Sequence, residues 1–421
     1  MTENDNRKLF GTQRGVVFLG LARMADALGN SFLIVVLPLY IVSEGVSGET
    51  FGFSPSFITG FILGLYGLIS SLLQPVAGWL SDSMGKRRFF VLIGLLFFTF
   101  ANISYSLADS YFMLVLIRSA QGVAAALTIT ASVALVSELS TDTSRGNNMG
   151  VYNSLRLIGF GGGPLISGLV IEHGPFNVPL LGQISGFNAA FAIAAAAAAI
   201  SAFFVLFFVR DPEDTRPSKK RIQIKVRADQ NGRLIDPIFA LGLATLIMSF
   251  GFSILAPIET ETNARLGQGP FLFSVEFSAM VAALALFQPF VGRASDRYGR
   301  RVFIIIGLCC LIPTSVAQGL SAQSWHMIAA RAVQGLSAAM VLAPALALAG
   351  DLAEKGQAAA RLSVVTMAFG LGISIGSFVS GYAVGFGYIT PFLIASGLAA
   401  LGVLIVYTQV PKTLEGREKK L

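Results

Sequence analysis

Charged side chains that interrupt the long apolar stretches of the chain are the first candidates for chemistry. We count one acid and four bases there: Asp26, Arg23, Arg118, Arg156 and Arg331. A lone charge inside a membrane helix costs at least about 2.5–3.5 kcal/mol on insertion scales, so such residues are functional candidates by default. Asp26 lies about 16 Å along its stretch at the rise of an α-helix, near the membrane midplane. It is the only carboxylate that we expect at this depth.

A carboxyl group at the midplane can carry a proton across the membrane. Burial disfavours its charged form and a neighbouring cation favours it, so its proton affinity can be tuned between loading and release. Arg23 precedes Asp26 by three residues on the same helix face. This spacing also allows a second interpretation, in which the two side chains form a permanently neutral pair. Both interpretations of Asp26 stay open at this point.

The intramembrane arginines suggest a further set of contacts. Arg118 reaches the midplane and Gln121 faces the same side of the helix, so the pair is a candidate for proton or substrate coupling, with a structural or snorkelling role as the alternative. Arg156 has no counterpart in the internal repeat described below, and we expect it to contact substrate. Arg331 copies Arg118 and is interpreted as structural. Four arginines against one acid also favour an alternative function, the transport of an anionic solute such as an organic acid or a sugar phosphate.

Two similar charged turns follow long apolar stretches, "GWLSDSMGKRR" from residue 78 and "GRASDRYGRR" from residue 292. In the first, a cation held between Asp82 and Glu138 would clamp two helix ends together. We expect one such gating latch in each half of the chain, formed by Asp82, Lys86, Arg87 and Glu138 and by Asp296, Arg300 and Asp351. A partly desolvated charge network contributes more than an exposed ion pair, which is worth about 0–1 kcal/mol.

The elements that must position these residues are membrane helices. Of 421 residues 54% are hydrophobic and 13% are charged, whereas soluble proteins carry about 25% charged residues. The sequence lacks the alternating pattern of barrel strands, and each apolar stretch is long enough to cross a bilayer as a helix. There are twelve such stretches: 15–42, 55–80, 89–108, 111–137, 147–171, 187–209, 237–258, 273–292, 302–320, 326–350, 361–385 and 389–409.

The positive charge of the chain follows this topology. The chain has 30 Lys and Arg, and all but five fall in segments that are cytoplasmic if both termini are placed inside the cell. Only Arg265 falls in a predicted outer loop. This asymmetry predicts the orientation of the chain in the membrane. Orientation and contact with anionic membrane lipids explain the net charge of +7. We therefore expect no nucleic-acid partner.

The charged turns belong to an internal repeat. Asp82 matches Asp296 at an offset of 214 residues, and Arg118 matches Arg331 at an offset of 213. Glycine-rich runs in the fifth and eleventh stretches recur at the same spacing. These features predict a six-helix bundle at 1–209, a basic cytoplasmic linker at 210–236 and a second bundle with a cytoplasmic tail at 237–421. Transporters are commonly built from such repeats.

Three motifs make the chain resemble the major facilitator superfamily, and specifically its twelve-helix drug:proton antiporter group. The first turn resembles motif A, and Arg118 with Gln121 and Gly122 resembles motif B. Motif C, G-x8-G-x3-G-P-x2-G-G, is similar to the run that contains Gly150, Gly159, Gly163, Pro164 and Gly168. Ser167 replaces the first glycine of its closing pair.

The resemblance implies a fold and site roles. It implies twelve helices in two pseudo-symmetric bundles, latches that hold the outward-open state, and an Arg118 that takes part in coupling. Gly159, Gly163, Pro164 and Gly168 are implied to pack against a helix of the other half and to limit leakage. Asp26 stands twelve residues before Pro38, which resembles the acidic residue of helix one in multidrug:proton antiporters.

We therefore predict a multi-pass secondary carrier of the cell membrane that exports small amphipathic compounds in exchange for protons by alternating access. A proton gradient is its expected energy source, without cofactor or metal ion, and a monomer is the expected state. The sequence offers no nucleophile–base pair, so we expect no enzyme. A channel or receptor is a weaker alternative, because a receptor needs no duplicated latch.

Overall fold

The computed structural model describes residues 8–9, 12–43, 46–140, 144–179, 182–212, 226–227, 234–352 and 358–411. Nearly all of these residues are helical. The helices are α1 (Arg14–Ile41), α2 (Pro55–Met84), α3 (Arg87–Ser104), α4 (Tyr111–Glu138), α5 (Arg145–His173), α6 (Gly186–Phe208), α7 (Pro237–Ser253), α8 (Glu259–Leu266), α9 (Pro270–Tyr298), α10 (Arg300–Gly319), α11 (Ser324–Asp351), α12 (Ala358–Ala383) and α13 (Thr390–Gln409).

Two short antiparallel strand pairs accompany the helices. Strands β1 (Lys8–Leu9) and β2 (Thr12–Gln13) precede α1, while β3 (Phe176–Val178) and β4 (Gly182–Ile184) connect α5 to α6. They are too short to form a barrel wall, so helices alone supply the membrane-spanning structure.

Twelve helical spans are long and apolar enough to cross a membrane within the described residues, which confirms the predicted number. The seventh span ends later than predicted. There α7 continues through a single 3-10 turn, Ala256–Ile258, into α8, and the whole span runs from Pro237 to Leu266. It is therefore eight residues longer than the 237–258 stretch, and its last part carries charged side chains.

The chain divides into two compact units. The first contains 1–49, 72–221 and 269–274, and the second contains 50–71, 222–268 and 275–421. The units follow the two sequence halves, with two exceptions. Residues 50–71 lie in the first half of the sequence but belong to the second unit. Residues 269–274 lie in the second half but belong to the first unit. The predicted bundle boundaries stay a prediction. Most of the predicted linker, and the C-terminal tail after residue 411, lie outside the described residues.

The core of the first unit forms where α1 packs against α5 and α6, and α3 against α4 and α6. Buried apolar side chains from all five helices meet in one cluster that includes Val16, Leu19, Phe90, Leu135 and Tyr152. Ser132 on α4 and Tyr152 on α5 share a hydrogen bond of 2.6 Å inside this cluster. Apolar packing therefore sets the positions of the few polar side chains in the unit.

The second unit repeats this arrangement, with α7 packed on α12 and α13, and α10 on α11 and α13. Small residues allow its helices to approach closely. The Ser374 hydroxyl of α12 donates a hydrogen bond of 2.7 Å to the backbone carbonyl of Gly64, in the part of α2 that belongs to this unit.

Candidate functional site

The Asp26 carboxylate is buried in the first unit and pairs with Arg23. The Arg23 guanidinium donates a hydrogen bond to Asp26 Oδ2 from one turn earlier in α1. Both side chains border a small cavity whose other walls come from α1, α3 and α4: Leu19, Ala22, Val91, Leu95, Thr128 and Ser132. This is the pairing that the second interpretation requires, while the role of Asp26 as a proton carrier stays a prediction.

Arg118 and Gln121 are brought together, as predicted, in a buried network between α3 and α4. The Gln121 carbonyl oxygen accepts hydrogen bonds from Arg118 Nη1 at 3.0 Å and from the Tyr105 hydroxyl at 2.9 Å. Its amide donates to Asn102 Oδ1 at 2.8 Å, and Asn102 donates in turn to the Ala194 carbonyl on α6. The network ties three helices of the first unit together.

Replacing Gln121 with leucine should destabilise the protein. The substitution removes three hydrogen bonds from fully buried groups, and each orphaned buried group costs about 1–3 kcal/mol. We expect a clearly lower melting temperature in detergent, measured by the fraction that stays monodisperse after heating. Ser119→Leu on the same helix is the control, because the Ser119 hydroxyl bonds only its own helix, at the Val115 carbonyl. Equal stability of the two variants would contradict the network.

Arg331 reproduces the Arg118–Gln121 contact in the second unit, as its place in the repeat predicts. Its Nη1 donates to Gln334 Oε1 at 2.6 Å, and the Gln334 amide donates to the Gly251 carbonyl on α7 at 2.9 Å. Arg156 lies half-buried on α5, one turn before the glycine-rich run. A contact of Arg156 with substrate stays a prediction.

The first charged turn forms the expected clamp, but the cation in it is Arg87. Its guanidinium donates to Asp82, to Glu138 from Nε at 3.1 Å and Nη2 at 2.9 Å, and to the Ser81 hydroxyl at 3.1 Å. Lys86 is exposed at the position just before α3. The expectation that Lys86 belongs to the latch is therefore corrected, since Arg87 makes the contacts with both carboxylates.

The second turn forms the same clamp around Arg300. This side chain donates to Asp296 Oδ1 from Nε at 2.9 Å and also to Asp351. Gly85 (φ 63°) and Gly299 (φ 103°) occupy equivalent left-handed positions, but α10 starts directly after its glycine and α3 starts one residue later. Lys86 is thus the extra residue that changes the repeat offset from 214 to 213.

The arginine after each clamp has a role that the sequence interpretation missed. Arg88 donates to the Val205 carbonyl at 3.3 Å and to that of Leu206, near the end of α6. Arg301 donates to the Tyr407 carbonyl near the end of α13. A cation at these carbonyls interacts favourably with the negative end of the helix dipole, and at Leu206 and Tyr407 it occupies carbonyls of the last helical turn. The repeat of two adjacent arginines in both turns was the available signal.

The glycine-rich run of α5 makes close backbone contacts. A Cβ at Gly159 would lie 2.8 Å from the carbonyl carbon of Met24, and one at Gly163 would lie 2.5 Å from the Leu28 carbonyl oxygen, both on α1. A Cβ at Gly168 would lie 3.0 Å from the Phe271 Cα at the start of α9. Packing against the other half is therefore wrong for Gly159 and Gly163, which face a helix of their own half.

Pro164 lies inside α5, as predicted, between the two groups of contacts. A proline inside a helix removes one backbone donor and bends the helix. The glycines before Pro164 contact α1, and Gly168 after it contacts residues 270–274. This change of partner fits a helix that changes direction at Pro164.

The sequence profile of the Major Facilitator Superfamily matches residues 19–240 and 241–421. The chain belongs to this superfamily. The profile matches twice in tandem, once for each half, in agreement with the repeated clamps and the repeated Arg–Gln pairs. Its members are transporters, and this protein is a twelve-span membrane transporter.

Relatives within the Major Facilitator Superfamily are distant in sequence. The quinolone resistance protein NorA of Staphylococcus aureus (strain COL) is 22% identical over 403 residues, covering 94% of this chain and 96% of the relative. The multidrug resistance protein MdtG of Salmonella arizonae is 25% identical over 304 residues, 69% of this chain and 70% of the relative.

A solved structure of a POT family transporter in complex with 5-aminolevulinic acid has the same fold. It superimposes with a TM-score of 0.78 at 16% identity and covers 95% of this chain and 97% of its own. Such a likeness shows the Major Facilitator fold and nothing about the substrate.

Two buried acids of this transporter are absent from the sequence-based inventory of intramembrane charges. Glu259 and Glu276 in the second unit are both completely buried. Glu276 falls inside the predicted stretch 273–292 and was overlooked there, and Glu259 follows the predicted end of 237–258 by one residue. The statement that one acid faces four arginines is therefore corrected, because three acids are buried in the described spans.

Proposed function

We propose that this transporter exports small amphipathic compounds in exchange for protons by alternating access. The observation that carries the proposal is the carboxylate of Asp26, buried in α1 with a single arginine of the same helix beside it. Such a carboxylate can stay charged and paired with Arg23, or it can bind a proton and become neutral; burial favours the second form and the neighbouring arginine favours the first. The printed names of NorA and MdtG, which concern quinolone and multidrug resistance, support the substrate class.

The transporter is proposed to lie in the cell membrane with both termini inside the cell. The charge asymmetry supports a cytoplasmic position for both termini of a chain that crosses the cell membrane twelve times. Basic segments then rest against anionic lipid head groups. A proton gradient supplies the energy, no cofactor takes part, and the monomer is the working unit.

The corrected charge inventory weakens the alternative of an anionic solute. That alternative rested on four intramembrane arginines and one acid. In the second unit, however, Arg331 lies close enough to Glu276 for their charges to interact. In the first unit, Arg23 is neutralised by Asp26. Contacts of Arg118 or Arg156 with an anion stay a prediction, and no observation favours that function over the export of amphipathic compounds.

Proton-coupled flux in liposomes tests the proposal. With a pH-sensitive dye inside the vesicles and an imposed proton gradient, a panel of lipophilic cations, neutral antibiotics and organic anions is added. We expect substrate-dependent proton movement for wild type and its reduction to the level of empty liposomes for Asp26→Asn, because the amide cannot bind the proton. Asp109→Asn, which changes an exposed acid, should behave as wild type.

Two results would oppose the proposal. If Asp26→Asn moves protons as fast as wild type, Asp26 is a static partner of Arg23. If only the organic anions move, and without protons, the antiport function is wrong and an anion carrier takes its place.

A further inference from the structure

The buried acids of the second unit lie at a junction of three helices. Glu259 begins α8, at the end of the seventh span, and Glu276 lies in the second turn of α9. They are close enough for their charges to interact, and Glu276 also interacts with the charge of Arg331 on α11. All three side chains are completely buried. Two like charges and one opposite charge therefore share a site that is closed to solvent in this structure.

The hydrogen bonds of this site are incomplete. Glu276 Oε1 accepts from the Gln268 amide at 2.8 Å, but no described residue donates to Glu276 Oε2. Both oxygens of Glu259 also lack a donor in good geometry among the described residues, although the amide of Asn263 lies beside them. A buried carboxylate oxygen without a donor costs free energy, and a bound proton removes much of that cost.

The charges of the site do not balance when every group is ionised. Two carboxylates and one guanidinium leave one negative charge in a dry environment, which is strongly unfavourable. One proton makes the site neutral. The next charged or titratable groups in the second unit are Glu261 and Arg265 of α8 and Tyr388 before α13.

These surrounding groups do not supply the missing charge. Glu261 accepts a hydrogen bond from Ser56, and Arg265 lies 4.8 Å over the ring of Tyr388 and donates to the Ser321 carbonyl at 3.3 Å. Burial raises the pKa of Tyr388 to about 12, so its hydroxyl stays neutral at physiological pH. Glu261 is only partly buried, so we assign the proton to Glu259 or Glu276, which are completely buried.

The fold does not require an acid at this place. In the first half of the chain, the position equivalent to Glu276 at the offset of 214 is Ile62, which is equally buried. Arg118 and its equivalent Arg331 each donate to a neutral glutamine, so this contact does not require an acid in either half. The helix pairs form in both halves, so packing alone does not account for the two glutamates.

We propose that Glu259 and Glu276 form a proton-binding site in the second unit, distinct from Asp26. The proton comes from water, forms an O–H bond on one carboxylate oxygen and returns to water from that oxygen. The two acids titrate as one coupled pair, because each proton affinity depends on the charge of the other. This inference goes beyond the proposed function: it concerns proton binding, and it stands whether or not Asp26 carries the transported proton.

Infrared difference spectroscopy of the purified full-length protein tests the site directly. Spectra are recorded in H2O and D2O while the pH is changed from about 5 to about 9, a range that covers coupled buried carboxyls. We expect a deuterium-sensitive band of a protonated carboxyl group that persists in Asp26→Asn. It should disappear in the double variant Glu259→Gln/Glu276→Gln. Glu49→Gln, an exposed acid, should leave the band unchanged.

Either of two results would overturn the inference. If the band is already absent in Asp26→Asn, that acid holds the only buried proton detected. If it remains in the double variant, the proton belongs elsewhere. If the double variant does not fold, Glu276→Gln alone provides the test, because removing one acid of a coupled pair should shift or abolish the band. Transport is not measured, so this outcome is independent of the liposome experiment.

Discussion

Alanine at Gly159 should destabilise the transporter by about 1–3 kcal/mol, the usual cost of overpacking. The added Cβ would lie 2.8 Å from the backbone carbonyl carbon of Met24 and 3.0 Å from its Cα. Backbone atoms cannot rotate away as a flexible side chain can, so α1 and α5 must separate. We expect a lower melting temperature in detergent and a lower yield of monodisperse protein.

Gly162→Ala is the matched control for Gly159→Ala. It lies on the same helix, and a Cβ there meets nothing within 4 Å. Alanine is favoured over glycine inside a helix by up to about 1 kcal/mol, so this variant should be as stable as wild type or more stable. If the two alanine variants unfold at the same temperature, α1 and α5 do not approach as closely as the structure places them.

The helices were predictable because a membrane span is encoded in a single local property, its apolar length. The repeat was predictable because Asp82 and Asp296, or Arg118 and Arg331, are identical residues at nearly constant spacing. The helix that Gly159 contacts was not predictable from the sequence. Small residues indicate that some backbone approaches closely, but they contain no information about which helix it belongs to.

The identity of the clamp cation depends on where a helix begins. Lys86, Arg87 and Arg88 are three successive cations that the sequence does not distinguish chemically. The left-handed Gly85 and the additional residue after it set the start of α3. The helix start in turn directs Arg87 toward both carboxylates and leaves Lys86 exposed. A shift of one residue would have exchanged their roles.

Glu259 was missed for a different reason, whereas Glu276 lies inside the predicted stretch 273–292 and was visible in the sequence. Glu259 stands where an apolar stretch gives way to polar residues, which is typical of the end of a membrane helix. The single 3-10 turn continues the span into α8 instead, so the polar segment stays inside the unit. Tertiary packing decides whether a polar segment at the end of an apolar stretch is buried, and local hydropathy does not report tertiary packing.

Alanine at Arg87 should reduce both stability and transport, and the effect should exceed that of alanine at Arg300. Removing Arg87 leaves Asp82 and Glu138 to repel each other at two helix ends. The loss approaches about 3 kcal/mol only for a fully buried charge pair. The acids here are 34% and 28% exposed, so we expect a smaller but measurable loss. The carboxylates around Arg300 are 54% and 62% exposed, and water replaces that clamp at little cost.

A second set of variants separates stability from gating. Combining Arg87→Met with Asp82→Asn and Glu138→Gln removes the cation and both charges it held, so the melting temperature should recover toward wild type. Substrate-driven flux in liposomes should stay low, because a gate needs a difference of only a few kcal/mol between its states and the clamp that provides it is gone. Recovery of flux together with stability would show that Arg87 serves folding alone. The latch would then be a structural feature that positive-inside topology explains by itself.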